Sequence, residues 1–256
     1  MHQFNLTCSE NTFRRAMHKN GMKRYIAARA PLKTNQQRQK RFQWATEHHH
    51  HKLDYWSKVL WTDECTFELD LRVKQRVTRE RGQQFDTTKI QWQKRRKEPA
   101  CINIWGAIGY NYKSPLVFID GNGKNGAFLQ ADYTEQVLDA HMLSIMQDFK
   151  ATCNNKPLLL EDGNVAHGLK SAHNAPAIWK KKYGVSLLAW AFNSADMNSI
   201  ELIWHIMKQN LRKRRAEIKT LAQYRAAIEE KWDAVSLSKI NALVAEMEKR
   251  VDIMYS

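Results

Sequence analysis

Residues 57–70 read SKVLWTDECTFELD, and their spacing decides the fold class. Val59, Trp61 and Asp63 fall on one face of an extended chain, and the β-branched and aromatic residues come in short runs, so a strand ending at Asp63 is predicted. Three further strand candidates follow at 72–80 (RVKQRVTRE), 101–110 (CINIWGAIGY) and 115–120 (PLVFID). The period then changes. Over 132–149, Val137, Leu138, His141, Met142, Ile145 and Phe149 recur at the three-to-four spacing of a helix. A buried-type strand at 157–162 (PLLLED), a helix around 170–183, a strand at 185–190 (VSLLAW) and an amphipathic helix from about 198 to 214 complete the run, with one or two more helices across 219–253. Strands first, then strands alternating with helices, predict an α/β domain with a mixed sheet flanked by helices.

The chain of 256 residues and 30.0 kDa is long enough to bury a real core, and its 43% hydrophobic and 10% aromatic content excludes a disordered or low-complexity protein. No apolar run approaches the roughly 18 residues of a membrane span, and Met1 to Arg15 lacks the apolar core of a secretory signal, so a soluble, intracellular protein is expected. Cys8, Cys65, Cys101 and Cys153 are scattered without a CxxC pair, which encodes neither a disulfide framework nor a zinc ribbon. The net charge of +15 points to a polyanionic partner. Residues 1–60 hold 12 basic and 3 acidic side chains, whereas 111–205 hold 8 and 9. Basic flanks around a carboxylate-bearing middle suit a chain that grips nucleic acid around an acidic site, although a basic solubilising surface has the same composition.

At the front, Ser9 is a good helix N-cap and Gly21 a good residue to follow a helix end, which predicts a short helix over 9–20 with Arg14, Arg15 and Lys19 on its polar side. Such a helix has the character of a DNA-recognition helix, without the chain needed before it for its supporting helices. Residues 34–47 (TNQQRQKRFQWATE) read as a mostly polar linker helix capped by Thr34. His48 to His51 have no tetrahedral-site spacing and read as a solvated linker.

Three acids stand where chemistry needs them. Asp63 and Asp162 each close an apolar alternation, and Glu201 falls in the first turn of the helix after Asn198, beside the stripe Ile200, Trp204, Met207 and Leu211. Converging acids from two strands and a helix can hold two divalent cations for attack on a phosphodiester. The same residues also fit turn and capping roles, since Asn198-x-x-Glu201 is a capping pattern. Glu64 and Glu161 neighbour these acids, but alternation turns them to the opposite face.

The segments VLWTDECTFEL (59–69), NIWGAIG (103–109), LLEDGNVAHG (159–168), LLAWAFNSADMNSIELIWHIMK (187–208) and EMEKRV (246–251) occur in the order of the conserved blocks of mariner-superfamily DDE transposases, and the chain resembles their Tc-like branch over nearly its whole length. The resemblance implies an RNase H-like domain with Asp63, Asp162 and Glu201 as catalytic, metal-holding residues, supported by His167 and Asn198. It implies two Mg2+ or Mn2+ ions, double-stranded DNA as partner, a homodimer, and cut-and-paste transposition with integration, located in the nucleus of a eukaryotic cell or otherwise in the cytoplasm. It divides the chain into a partial helix-turn-helix at 1–33, in which Arg14, Arg15, Lys19, Lys23 and Arg24 contact DNA, a linker helix at 34–54, and a catalytic domain with C-terminal helices at 55–256. A non-catalytic DNA-binding relic, a domesticated descendant and a general RNase H-like nuclease are the alternatives.

The chain departs from the family pattern in places. Residues 190–201 (WAFNSADMNSIE) lack all three of the pattern's prolines, which removes fixed φ angles before Glu201. Gly163 stands where an Asn is usual, and 38 residues separate Asp162 from Glu201. The first helix-turn-helix and most of the second are not represented. The string Gly121-Asn-Gly-Lys-Asn-Gly126 matches a dinucleotide-binding pattern in letters only, because no βαβ unit surrounds it. The runs 94–97, 180–182 and 212–215 suit phosphate contact or a solvated face equally, and the last could also serve nuclear import.

Overall fold

The computed structural model describes residues 8–22, 33–69, 100–123, 126–153, 156–190 and 194–255. The chain forms two compact units, Met1–Thr34 and Asn35–Ser256. The strand candidate at 72–80, the basic run 94–97, and Lys23 and Arg24 lie outside the described residues.

In the first unit, helix α1 (Glu10–Lys19) starts as predicted, with the Ser9 side chain accepting from the Thr12 N–H. Arg14, Arg15 and Lys19 are exposed, and Arg14 pairs with Glu10 one turn earlier at 2.6 Å.

The second unit is built on a six-stranded sheet. Strands β1 (Val59–Leu69) and β2 (Ala100–Gly109) are antiparallel, with Asp63 opposite Gly106. β3 (Tyr112–Lys113) and β4 (Val117–Ile119) both pair with β2, while β5 (Leu158–Leu160) runs parallel to β1 and β6 (Ser186–Leu187) parallel to β5. The order β3-β2-β1-β5-β6 is the mixed sheet that the sequence predicts. Alternation in β1 divides two cores. Val59, Trp61, Cys65, Phe67 and Leu69 face one side, and Leu60 faces the other with Trp105, Ala107 and Leu159. Asp63 is therefore inside a strand, not at its end, because Cys65, Phe67 and Leu69 continue the same apolar face and β2 pairs along it.

One side of the sheet is covered by a long helical segment, α4 (Gln130–Tyr133), wide π-helical turns (Thr134–Met142) and α5 (Leu143–Cys153), together with α6 (Ala175–Lys182). The predicted stripe is buried there, except that His141 is half-exposed. The other side is covered by α2 (Asn35–His48), α3 (Leu53–Trp56), α7 (Ser199–Lys213), α8 (Leu221–Asp233), α9 (Leu237–Ala245) and α10 (Met247–Tyr255). The C-terminal region holds three helices where one or two were expected, since Ser236 caps a new helix immediately after α8 ends. No helix among the described residues is long and apolar enough to cross a membrane.

Two expectations about the front of this unit are corrected. Helix α2, read as a mostly polar linker helix, is not polar on every side: Trp44 and Ala45 enter the core. Nor are the four histidines uniformly exposed. His48 is buried, stacked on Trp44 at 4.2 Å with Nδ1 2.8 Å from the Trp44 carbonyl, and His51 stacks on Tyr55 at 3.6 Å. Their neighbours supply flat aromatic faces, and burial lowers both pKa values below the usual histidine range.

Gly106 shows how the sheet admits a large ring. Trp204 of α7 and Trp232 of α8 stack at 5.1 Å, and a Cβ on residue 106 would lie 2.9 Å from Trp204 and 3.1 Å from Trp232. Both rings are buried and have no room to retreat. Gly106→Ala should therefore cost about 1–3 kcal/mol, read as a lower denaturant midpoint with an unchanged m-value.

Candidate active site

The tryptophans over Gly106 lead directly to the first acid. With no side chain at 106, the Trp204 indole lies against the sheet and its N–H donates to Asp63 Oδ2 at 3.1 Å. Asp63 is buried, and its pKa is pushed up to about 9 by that burial and by the carboxylates of Glu201, Glu64 and Asp162. Glu201, in the first turn of α7, is itself shifted upward, chiefly by burial, against the attraction of Lys208. Both shifts favour the neutral form of each acid, as expected where carboxylates approach one another out of water.

The start of α7 is tied to β1 by Asn198. Its side-chain oxygen accepts from the Ile200 N–H and its Nδ2 donates to the Thr62 carbonyl at 3.1 Å. Capping and strand attachment come from one amide, and they bring Glu201 beside Asp63.

Asp162 lies just past β5, in a turn where its Oδ1 accepts from the Asn164 N–H at 2.8 Å. His167 closes this turn: Nδ1 is 3.0 Å from Asp162 Oδ1 and Nε2 is 3.0 Å from Glu64 Oε1. Gly168 follows with φ +70°, and a Cβ there would collide with the Asn174 side chain at 2.2 Å. Burial alone would favour a neutral imidazole, but the carboxylates of Glu64 and Asp162, with Glu161, prevail and hold the His167 pKa well above its usual value. Asp162 correspondingly falls below the usual carboxylate range, since the hydrogen bonds from His167 and Asn164 outweigh its partial burial.

The donor set fits a hard divalent cation, because it consists of carboxylate oxygens with one imidazole nitrogen. Glu64, Asp162 and His167 bring one ligand atom each within 4.8 Å of one another, and no other trio among the described residues does so. Asp63 and Glu201 thus form one pair, and Asp162 joins His167 and Glu64 in a second group. A cleft of about 230 Å³ opens beside Asp162, lined in part by Leu169, Lys170, Leu187 and Trp190. A larger groove of about 390 Å³ runs further along α7, where Lys208, Arg212, Arg215 and Tyr224 line it.

A family model described as a DDE superfamily endonuclease matches residues 58–224, which is more than half of the chain. The chain belongs to that family. A second model, a transposase helix-turn-helix of the Tc3 type, matches residues 1–50. Among relatives, the Tcb1 transposase of Caenorhabditis briggsae is 24% identical over 257 residues, covering 94% of this chain and 83% of the relative. The Tc3 transposase of Caenorhabditis elegans is 23% identical over 206 residues, 77% of this chain and 55% of the relative. The resemblance to mariner-superfamily transposases read from the motif blocks is thereby upheld. A pre-cleavage Mos1 transpososome superposes with a TM-score of 0.67 at 11% identity, over 96% of this chain and 70% of that one. The Mos1 catalytic domain with raltegravir and Mg gives 0.61 at 9%, over 88% and 96%. At such identities the likeness establishes the fold, which is the expected RNase H-like mixed sheet flanked by helices.

Sequence reasoning missed two residues at the site. Glu64 is on the opposite face from Asp63, as alternation requires, yet His167 reaches it from the loop after β5. Glu161 is fully buried beneath the second acid, accepting from the Tyr133 hydroxyl at 2.5 Å and from Lys180. The visible signal was that a buried-type strand ended in two consecutive acids, one of which had to be neutralised.

Proposed function

We propose that this chain is a DDE transposase that cuts DNA and joins the cut end to a target with Mg2+ or Mn2+ as cofactor. What supports the reading is the family match over residues 58–224, together with Asp63 held by Trp204 on β1 and Asp162 grouped with His167 and Glu64 in the turn after β5. In this reading Asp63, Asp162 and Glu201 hold two cations, whose chemistry is to activate a water or 3'-hydroxyl for in-line attack and to stabilise the leaving oxygen. His167 keeps the Asp162 carboxylate ionised and fixed in its turn, Trp204 holds one oxygen of Asp63, and Asn198 fixes the helix that carries Glu201. Solved structures of the similar Mos1 transposase with Mg and with Mn support the choice of cofactor.

Double-stranded DNA is the substrate in this proposal. Arg14, Arg15 and Lys19, with Lys23 and Arg24, contact phosphates or the major groove, and the cationic groove along α7 takes backbone phosphates. A homodimer that pairs two transposon ends, working in the nucleus of a eukaryotic cell and otherwise in the cytoplasm, completes the reading. The paired-end complex of the similar Mos1 transposase supports the pairing of ends in this reading. The experiment is nicking and strand transfer on a short duplex with Mg2+ or Mn2+, wild type against Asp162→Asn. Metal-dependent products from the wild type alone are expected. Equal DNA binding with no products from either protein, both folded, would instead identify a DNA-binding relic.

A further inference from the structure

Helix α2 turns Arg41, Trp44, Ala45 and His48 inward at helical spacing. Arg41 is the anomaly, a guanidinium only 8% exposed in a stripe otherwise made of rings and a methyl group. A cation so placed needs charged or polar acceptors. They come from one short segment: Nη1 donates to Ser194 Oγ at 2.6 Å and to Asp196 Oδ1 at 2.9 Å, and Nη2 to Asp196 Oδ2 at 2.7 Å. One turn along, the Trp44 indole donates to the Ala189 carbonyl at 2.6 Å. Helix α2 therefore holds the chain that enters α7 at Ala189, Ser194 and Asp196. From Asp196 a single 3-10 turn (Ala195–Met197) leads to the Asn198 cap, and Glu201 stands three residues further on. No proline lies between Trp190 and Glu201, so no ring fixes a φ angle there.

We infer that Arg41 is a positioning residue for the third acid: its two-pronged grip on Asp196 and Ser194 fixes the turn that starts α7 and so aims Glu201 at Asp63. The inference rests on the proposed role of Glu201. A lysine cannot replace the fork, because it offers a point charge in place of two parallel donors.

The test uses the full chain with Arg41→Met and Arg41→Lys, and Thr220→Ala as a control that removes the cap of α8 away from the site. Hydrogen exchange over residues 197–204 and Mn2+ binding followed by electron paramagnetic resonance are the readouts. Arg41→Met should weaken Mn2+ binding about 10–100-fold and speed exchange in 197–204 selectively, with Arg41→Lys intermediate. Thr220→Ala should do neither. If Arg41→Met does not fold, Asp196→Asn carries the same test. Unchanged Mn2+ affinity with exchange raised uniformly along the chain would overturn the inference. A wild type that binds no Mn2+ would bring down the acid-site reading separately. Exchange would then decide on Arg41, with selective loosening of 197–204 supporting the clamp and uniform loosening overturning it.

Discussion

Asp63→Asn should lower metal-dependent strand cleavage by at least ~10³-fold, equivalent to about 4 kcal/mol of lost transition-state stabilisation, while the metal-free fold remains as stable as the wild type at neutral pH or becomes more so. The two effects separate because Asn copies the protonated form of the acid. It keeps an oxygen for the Trp204 N–H and places no charge beside Glu201, but it cannot become the anion that a cation requires. The folded pKa of Asp63 is raised to about 9, against an unfolded value near ~3.9. Between those values the folded chain keeps a proton that the unfolded chain has released, so stability from this group is complete below about pH 4 and is lost as pH rises through about 9. Asn does not titrate. In EDTA, the Tm advantage of the variant should widen as pH rises through that window. A constant difference would show that Asp63 is ionised in the fold and that the acids do not crowd one another.

Asp162→Asn makes the complementary case at the same site. Its pKa is depressed by His167 and Asn164, so its stabilising contribution is present above the unfolded carboxylate value and fades as pH falls through the folded one. The substitution leaves the His167 cation with fewer anions around it. This variant should lose cleavage as Asp63→Asn does, but with a Tm below wild type at neutral pH and a gap that closes in acid.

The legible parts of the sequence were those in which one local rule acts alone. Period two in 59–63 gave the first half of β1, a three-to-four stripe gave the long helix beneath the sheet, and Ser9 and Asn198 capped the helices expected of them. The missed parts depend on contacts between distant segments. Nothing local to Glu64 points to His167, 103 residues away, and nothing local to Arg41 points to Asp196. A polar helix such as 34–47 looks solvated until its acceptors are known, because a buried guanidinium and a surface one have the same letter. The end of β1 was misplaced for a related reason. Asp63 interrupts an apolar face and so reads as a terminus, whereas β2 pairs past it and Gly106 opposite leaves room for the indole that holds it.

The largest loss of stability is expected from Lys180→Met, about 3–5 kcal/mol, because it leaves Glu161 buried without its cation. Both side chains are almost completely enclosed, at 5% and 1% exposure. Lys180 Nζ donates to Glu161 Oε2 and, at 2.7 Å, to the His167 carbonyl, while the Tyr133 hydroxyl donates to the other Glu161 oxygen. In a unit of this size the loss corresponds to roughly 10–15 °C in Tm. Adding Glu161→Gln should return most of it, since a neutral amide keeps an acceptor for Tyr133 and removes the stranded charge. The coupling in that double-mutant cycle separates the cost of an unpaired charge from the loss of lysine packing. If the double variant is no more stable than Lys180→Met alone, the methylene stem and not the charge is what Lys180 contributes. Activity adds a second reading of the same cycle. The His167 carbonyl loses its donor in both variants, so a turn that depends on Lys180 for its shape should leave the double variant stable but impaired in cleavage, with Asp162 held less firmly than in the wild type.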